Sequence, residues 1–141
     1  MKNETLSPTL LRSFFKEALR PFDSAACLTG NGDLIALKYE TLADIGTLSA
    51  SAVSVLRYLP LKMGELAILN DPYSGGTVLS HVTLVTPLSD ASSSAMGAGL
   101  FLAFRIGFRP RLVMTNSLEE EGLRIPPTPL AHNRKINLMI I

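Results

Sequence analysis

Between Leu69 and Pro87 the chain reads LNDPYSGGTVLSHVTLVTP, setting a carboxylate (Asp71), a phenol (Tyr73), a hydroxyl (Thr77) and an imidazole (His81) around a Gly75-Gly76 pair. Asp71 precedes Pro72, so its carboxylate either caps the amides of its own turn or serves as a ligand or catalytic group. Gly75-Gly76-Thr77 forms either a plain turn or a nest of backbone amides for an anion. It is not a P-loop, because no Lys follows. His81 opens a β-branched run and is read as bonded to a neighbour, with metal ligation as the alternative. Tyr73 either packs on the Gly-Gly backbone or contacts a ligand. Downstream, Glu119-Glu120-Glu121 reads as a solvated helix end. His81 and His132 are the two histidines, and neither a Ser-His-Asp arrangement nor a Cys-His pair can be assembled from them.

Composition narrows the classes. A length of 141 residues with 47% hydrophobic content suits one domain with a real core. The net charge of +1, from 13 basic and 12 acidic residues, gives no footprint for nucleic acid or anionic membrane. Cys27 is the single cysteine and lies in an apolar run, which excludes an intrachain disulfide and points to a buried, inert thiol. Lys2, Glu4, Arg12 and Lys16 interrupt the N-terminus, so no secretory signal is read there. The longest apolar run, Met96 to Phe104, is far short of the roughly 20 residues of a membrane span. A cytoplasmic location is expected.

The positioning elements follow from periodicity and punctuation. Ser7-Pro8 starts a helix carrying Leu10, Leu11, Phe14, Phe15, Ala18 and Leu19 as a core stripe, stopped by Pro21. Residues 25–28 and 34–37 flank Asn31-Gly32 and read as a β-hairpin. Leu48, Ala52, Val55, Leu56 and Leu59 mark a second amphipathic helix ended by Pro60. Residues 66–69, 82–87, 98–106 and 112–115 read as strands, 89–94 as a polar loop and 117–121 as a helical turn. Pro126, Pro127 and Pro129 predict an extended loop, His132 an exposed turn, and residues 137–141 a last strand. The whole predicts an α+β domain over residues 1–141, with two amphipathic helices on an antiparallel or mixed sheet.

The segments Asn70-Asp71-Pro72-Tyr73-Ser74-Gly75-Gly76-Thr77, Val82-Thr83-Leu84-Val85-Thr86-Pro87, Glu120-Glu121-Gly122-Leu123-Arg124-Ile125-Pro126-Pro127 and the hairpin Asn31-Gly32-Asp33-Leu34-Ile35-Ala36 occur in the order of, and resemble, the hydantoinase B/oxoprolinase family. The resemblance covers most of residues 23–137 and corresponds to the N-terminal portion of the family's subunit. It implies ATP-dependent opening of cyclic amides, such as hydantoin and 5-oxoproline, or carboxylation of ketones. It also implies an A-type partner that carries the nucleotide. On this resemblance Asp71, Glu120 and Glu121 are the candidate catalytic residues. Asn70, Tyr73, Gly75, Gly76 and Thr77 are the candidates for substrate binding.

The chain departs from the family pattern at the metal-ligand positions. Val78-Leu79-Ser80-His81 stands where the family has His-Leu-Pro-Asp, and Asp44 stands for an upstream histidine. Residues 104–110 replace a histidine-rich segment. With about three fixed ligands needed, no metal site is assigned, and His81 and Asp44 remain as the metal candidates. ATP and a divalent metal are expected only through an A-type partner or a full-length relative. The alternative function is a non-catalytic domain for small-ligand binding or subunit assembly. The apolar run 138–141 predicts a homo-oligomer or a central place for that strand.

Overall fold

A computed structural model of the chain describes residues 7–90, 99–107, 117, 120 and 122–137. Helix α1 (Pro8–Ala18) begins as expected, with Leu10 N–H donating to the Ser7 hydroxyl at 3.3 Å. Its C-terminal end is held by Lys38, whose Nζ donates to the carbonyls of Leu19, Arg20 and Phe22. Leu19 is buried and Leu10 exposed. The packing expected of Leu11, Phe14, Phe15 and Ala18 lies outside the described side chains.

Strands β1 (Ser24–Thr29) and β2 (Leu34–Lys38) form the expected hairpin. Helix α2 (Leu42–Tyr58) follows, then β3 (Leu66–Leu69), β4 (His81–Ser89), β5 (Leu100–Gly107), β6 (Thr128–His132) and β7 (Lys135–Ile136). Among the described residues these strands make one sheet in the order β2-β1-β5-β4-β3-β6-β7. Every pairing in it is antiparallel. The α+β expectation therefore resolves to a wholly antiparallel sheet. One face carries Ala26, Leu28, Ala67, Leu69, Val85 and Ala103 against Leu48, Ala52 and Val55 of α2, and this is the core. Cys27, on β1, is buried, and desolvation pushes its thiol pKa up, as an inert cysteine requires.

Several boundaries differ from the sequence reading. Helix α2 starts a turn and a half before Leu48, because Thr41 and Asp44 specify its N-terminus where no apolar stripe does. The proline-rich segment is not all loop: Pro129 lies inside β6, paired to Ala67 beside a register shift, where a missing N–H is tolerated. His132 ends β6 and is exposed as expected, ahead of Asn133-Arg134, both at positive φ. The strand expected at 112–115 lies outside the described residues, as does all but Asn137 of the one expected at 137–141, and Asn137 itself follows the end of β7 without joining a strand. Among those described, no helix is long and apolar enough to cross a membrane.

Candidate functional site

The Gly-rich loop leaves the buried end of β3 and closes on itself around Asp71. Asp71 Oδ1 accepts from the Tyr73 N–H at 3.1 Å, and Oδ2 accepts from the Ser74 hydroxyl at 3.1 Å. Its carbonyl accepts from the N–H groups of Ser74 (3.0 Å) and Gly76 (2.9 Å). These bonds hold a single 3-10 turn, Pro72–Ser74, and leave Asp71 only 8% exposed. Of the two roles open to Asp71, the structure displays the capping one. The amides of Tyr73, Ser74 and Gly76 are spent on Asp71, so of the three amides of Gly75-Gly76-Thr77 the middle one is committed to the turn itself.

The two glycines are required by contact. A Cβ on Gly76 would lie 2.5 Å from the Asn70 carbonyl oxygen. Gly75 has φ of +94°, and a Cβ there would lie 2.5 Å from the Ser51 nitrogen of α2. That approach lets the Ser51 hydroxyl donate to the Gly75 carbonyl at 2.9 Å, fastening the loop to the helix. Thr77 follows, half-buried.

Asn70 brings the two signature segments together. Its Nδ2 donates to the carbonyls of Leu79 (3.0 Å) and Leu123 (2.8 Å), and its Oδ1 accepts from the Ile125 N–H at 2.6 Å. Its own N–H donates to the Ile125 carbonyl at 2.9 Å. A side chain assigned to substrate binding from the sequence is thus 3% exposed and used as an internal clamp. Beside it, the Arg124 guanidinium lies 5.7 Å from the centroid of the Tyr73 ring, in cation–π range. Tyr73 is 80% exposed, so of its two expected roles, packing on Gly-Gly is not the one seen. Glu120 is exposed, with its N–H donating to the Ser117 carbonyl at 3.2 Å; Glu121 lies outside the described residues.

The metal candidates have other partners. Asp44 sits beneath the first turn of α2, 5% exposed. Its Oδ2 accepts from Ser24 Oγ (2.6 Å), Thr41 N–H (3.0 Å) and Thr41 Oγ1 (3.0 Å), while Oδ1 pairs with Arg105 Nη1. Burial opposes ionisation, but the bonds from Ser24 and Thr41 and the Arg105 charge outweigh it and hold the carboxyl below its usual range. Arg105 also donates to Thr83 and Thr47. Its Nη2 is the one buried side-chain nitrogen or oxygen among the described residues without a hydrogen-bond partner. His81 Nδ1 is 3.2 Å from Ser80 Oγ, the neighbour bond expected of it. A Cβ on Gly107 would lie 3.0 Å from His81 Nε2.

These residues do not fit the divalent metal that the resemblance implies. A carboxylate offers about four acceptor sites, and those of Asp44 already receive four donors, one of them a guanidinium that would repel a second cation. Among the described residues no three His, Cys, Asp or Glu side chains gather to hold a metal ion. From the sequence, Arg105 counts with Arg109 and Arg111 as a basic cluster, and its burial against Asp44 is not anticipated. Its signal was a single charged residue inside the apolar run 100–106, in phase with Ala103 on the core face, where a buried counter-charge is needed.

An antiparallel sheet backed by one long helix, with a glycine-rich turn tied to a proline-rich segment, finds its match among known proteins. The family model described as hydantoinase B/oxoprolinase matches residues 4–141, and the chain belongs to that family. The uncharacterized protein MJ0963 of Methanocaldococcus jannaschii is 31% identical over 124 residues, covering 81% of this chain and 22% of that protein. The ATP-dependent caprolactamase of Pseudomonas jessenii shares the fold with a TM-score of 0.64 at 15% identity, over 92% of this chain and 25% of that one. Acetone carboxylase in its nucleotide-free structure has a TM-score of 0.61 at 10% identity, over 81% of this chain and 16% of that one. The chain thus spans about a quarter or less of the length of each.

Proposed function

We propose that this chain is a ligand-binding and assembly domain of an ATP-dependent enzyme of the hydantoinase B/oxoprolinase type. It serves the opening of a cyclic amide or the carboxylation of a ketone, together with an A-type subunit that carries the nucleotide. The observation that supports this reading is the Asn70 clamp, which joins both of the family's signature segments in one place. ATP and a divalent metal come with the A-type partner or the remainder of a full-length subunit. The exposed Tyr39, Leu42 and Ile45 at the start of α2 support self-association, which light scattering reads directly.

The test is ATP hydrolysis by the chain mixed with a hydantoinase A-type subunit, with hydantoin, 5-oxoproline, caprolactam or acetone added in turn. Stimulation by one of them is expected, with loss of that stimulation in Asn70→Ala. A second reading, assembly without chemistry of its own, is favoured by the committed Asp44–Arg105 pair. It predicts stable complex formation with no substrate-stimulated turnover. Neither complex nor turnover with any A-type subunit overturns both.

A further inference from the structure

The far side of the Gly-rich loop, towards the end of α2, forms a groove of about 310 Å³, within the size range of small-ligand sites. Val53 and Gly75 contribute apolar and backbone surface, Ser54 a hydroxyl, and Tyr58 and Tyr73 two rings that are 66% and 80% exposed. Arg57 lines the same groove from the last turn of α2. No carboxylate lines it, and Arg57 has no ion-pair partner among the described residues. Arg124, stacked against Tyr73, adds a second positive charge at its edge. An unpaired guanidinium and two exposed phenol rings lining one groove offer a partner for an anionic group and surfaces for a planar body.

We infer that this groove binds a carboxylate-bearing small molecule with a planar or ring body, the carboxylate on Arg57 and the ring between Tyr58 and Tyr73. One free guanidinium, with its planar fork, matches a carboxylate monoanion. A phosphate dianion calls for more charge at the point of contact than Arg57 supplies, with Arg124 only at the groove's edge. The negative end of the α2 dipole lies close by and opposes any anion, so charge selectivity falls on Arg57. The site shares Tyr73 and Gly75 with the loop but needs neither ATP nor an A-type subunit.

The chain has three tyrosines and no tryptophan, so its ring signals in nuclear magnetic resonance report the site directly. The chain alone is titrated with benzoate, benzyl alcohol and phenyl phosphate. Benzoate is expected to shift Tyr58 and Tyr73 saturably and leave Tyr39 in place. Benzyl alcohol is expected to bind about two- to fivefold more weakly, the range of an exposed ion pair. Arg57→Gln, at an exposed position, should keep the Tm and bring benzoate to the level of benzyl alcohol. Equal binding of benzoate and benzyl alcohol, an unchanged benzoate affinity in Arg57→Gln, or no shift at Tyr58 and Tyr73 would each overturn the assignment. Phenyl phosphate bound about tenfold more tightly than benzoate would overturn the choice of carboxylate.

Discussion

Asn70 and Asp44 show how two polar side chains, both nearly inaccessible, can hold distant segments without offering themselves to solvent. Asn70 satisfies three backbone groups from its amide. Asn70→Ala strands two carbonyls and an N–H, and should cost about 2–4 kcal/mol in urea denaturation. Hydrogen exchange at the Ile125 amide should accelerate in the same variant. Asp44 carries a pH signature as well as a structural one. Its folded pKa lies below the unfolded value, so its contribution is full above about pH 4–5 and is lost as pH falls through the folded pKa. Tm should therefore drop on acidification in the wild type, and less steeply in Asp44→Asn. At neutral pH, Asp44→Asn should lose about 3 kcal/mol because the Arg105 guanidinium is left buried without its counter-charge. Chemical denaturation at pH 7 and pH 3.5 separates the two effects.

The elements that place these residues were legible to different degrees. The β1–β2 hairpin could be read because its turn residues, Asn31-Gly32, are local to it. The core face of α2 could be read because Leu48, Ala52 and Val55 repeat at helical spacing. Its first turn could not be read that way, since Leu42 and Ile45 face outward and the start is set by polar bonds. Strand β6 was hidden by prolines, which argue against a strand until the register shift beside Pro129 is seen. The site was legible as a list of residues but not as a division of labour. Asn70 and Ile125 are 55 positions apart, and no local signal says that they bond. The loop's dependence on α2 yields a sharp expectation. Gly75→Ala, with positive φ and a Cβ driven into Ser51, should be destabilised by more than about 2 kcal/mol in thermal or urea denaturation, while Gly46→Ala, with nothing within 4 Å, should not.

At the scale of the molecule, this member of the family keeps charged and polar groups in its interior and ties them to each other. An ion pair fills the space under α2, and the amides of Tyr73, Ser74 and Gly76 point inward to Asp71. The strand order has its own implication for how such a chain acquires shape during synthesis. Strand β5 lies between β1 and β4 in the sheet, yet follows both in the chain. Until residue 107 has left the ribosome, the early hairpin and the β3–β4 pair have no seam between them. Closing that seam spans from Ser24 to Arg105, a long-range step of the kind that slows folding and prolongs the exposure of unpaired strand edges. The order of synthesis thus leaves the facing edges of β1 and β4 without a partner until the last of their neighbours has emerged.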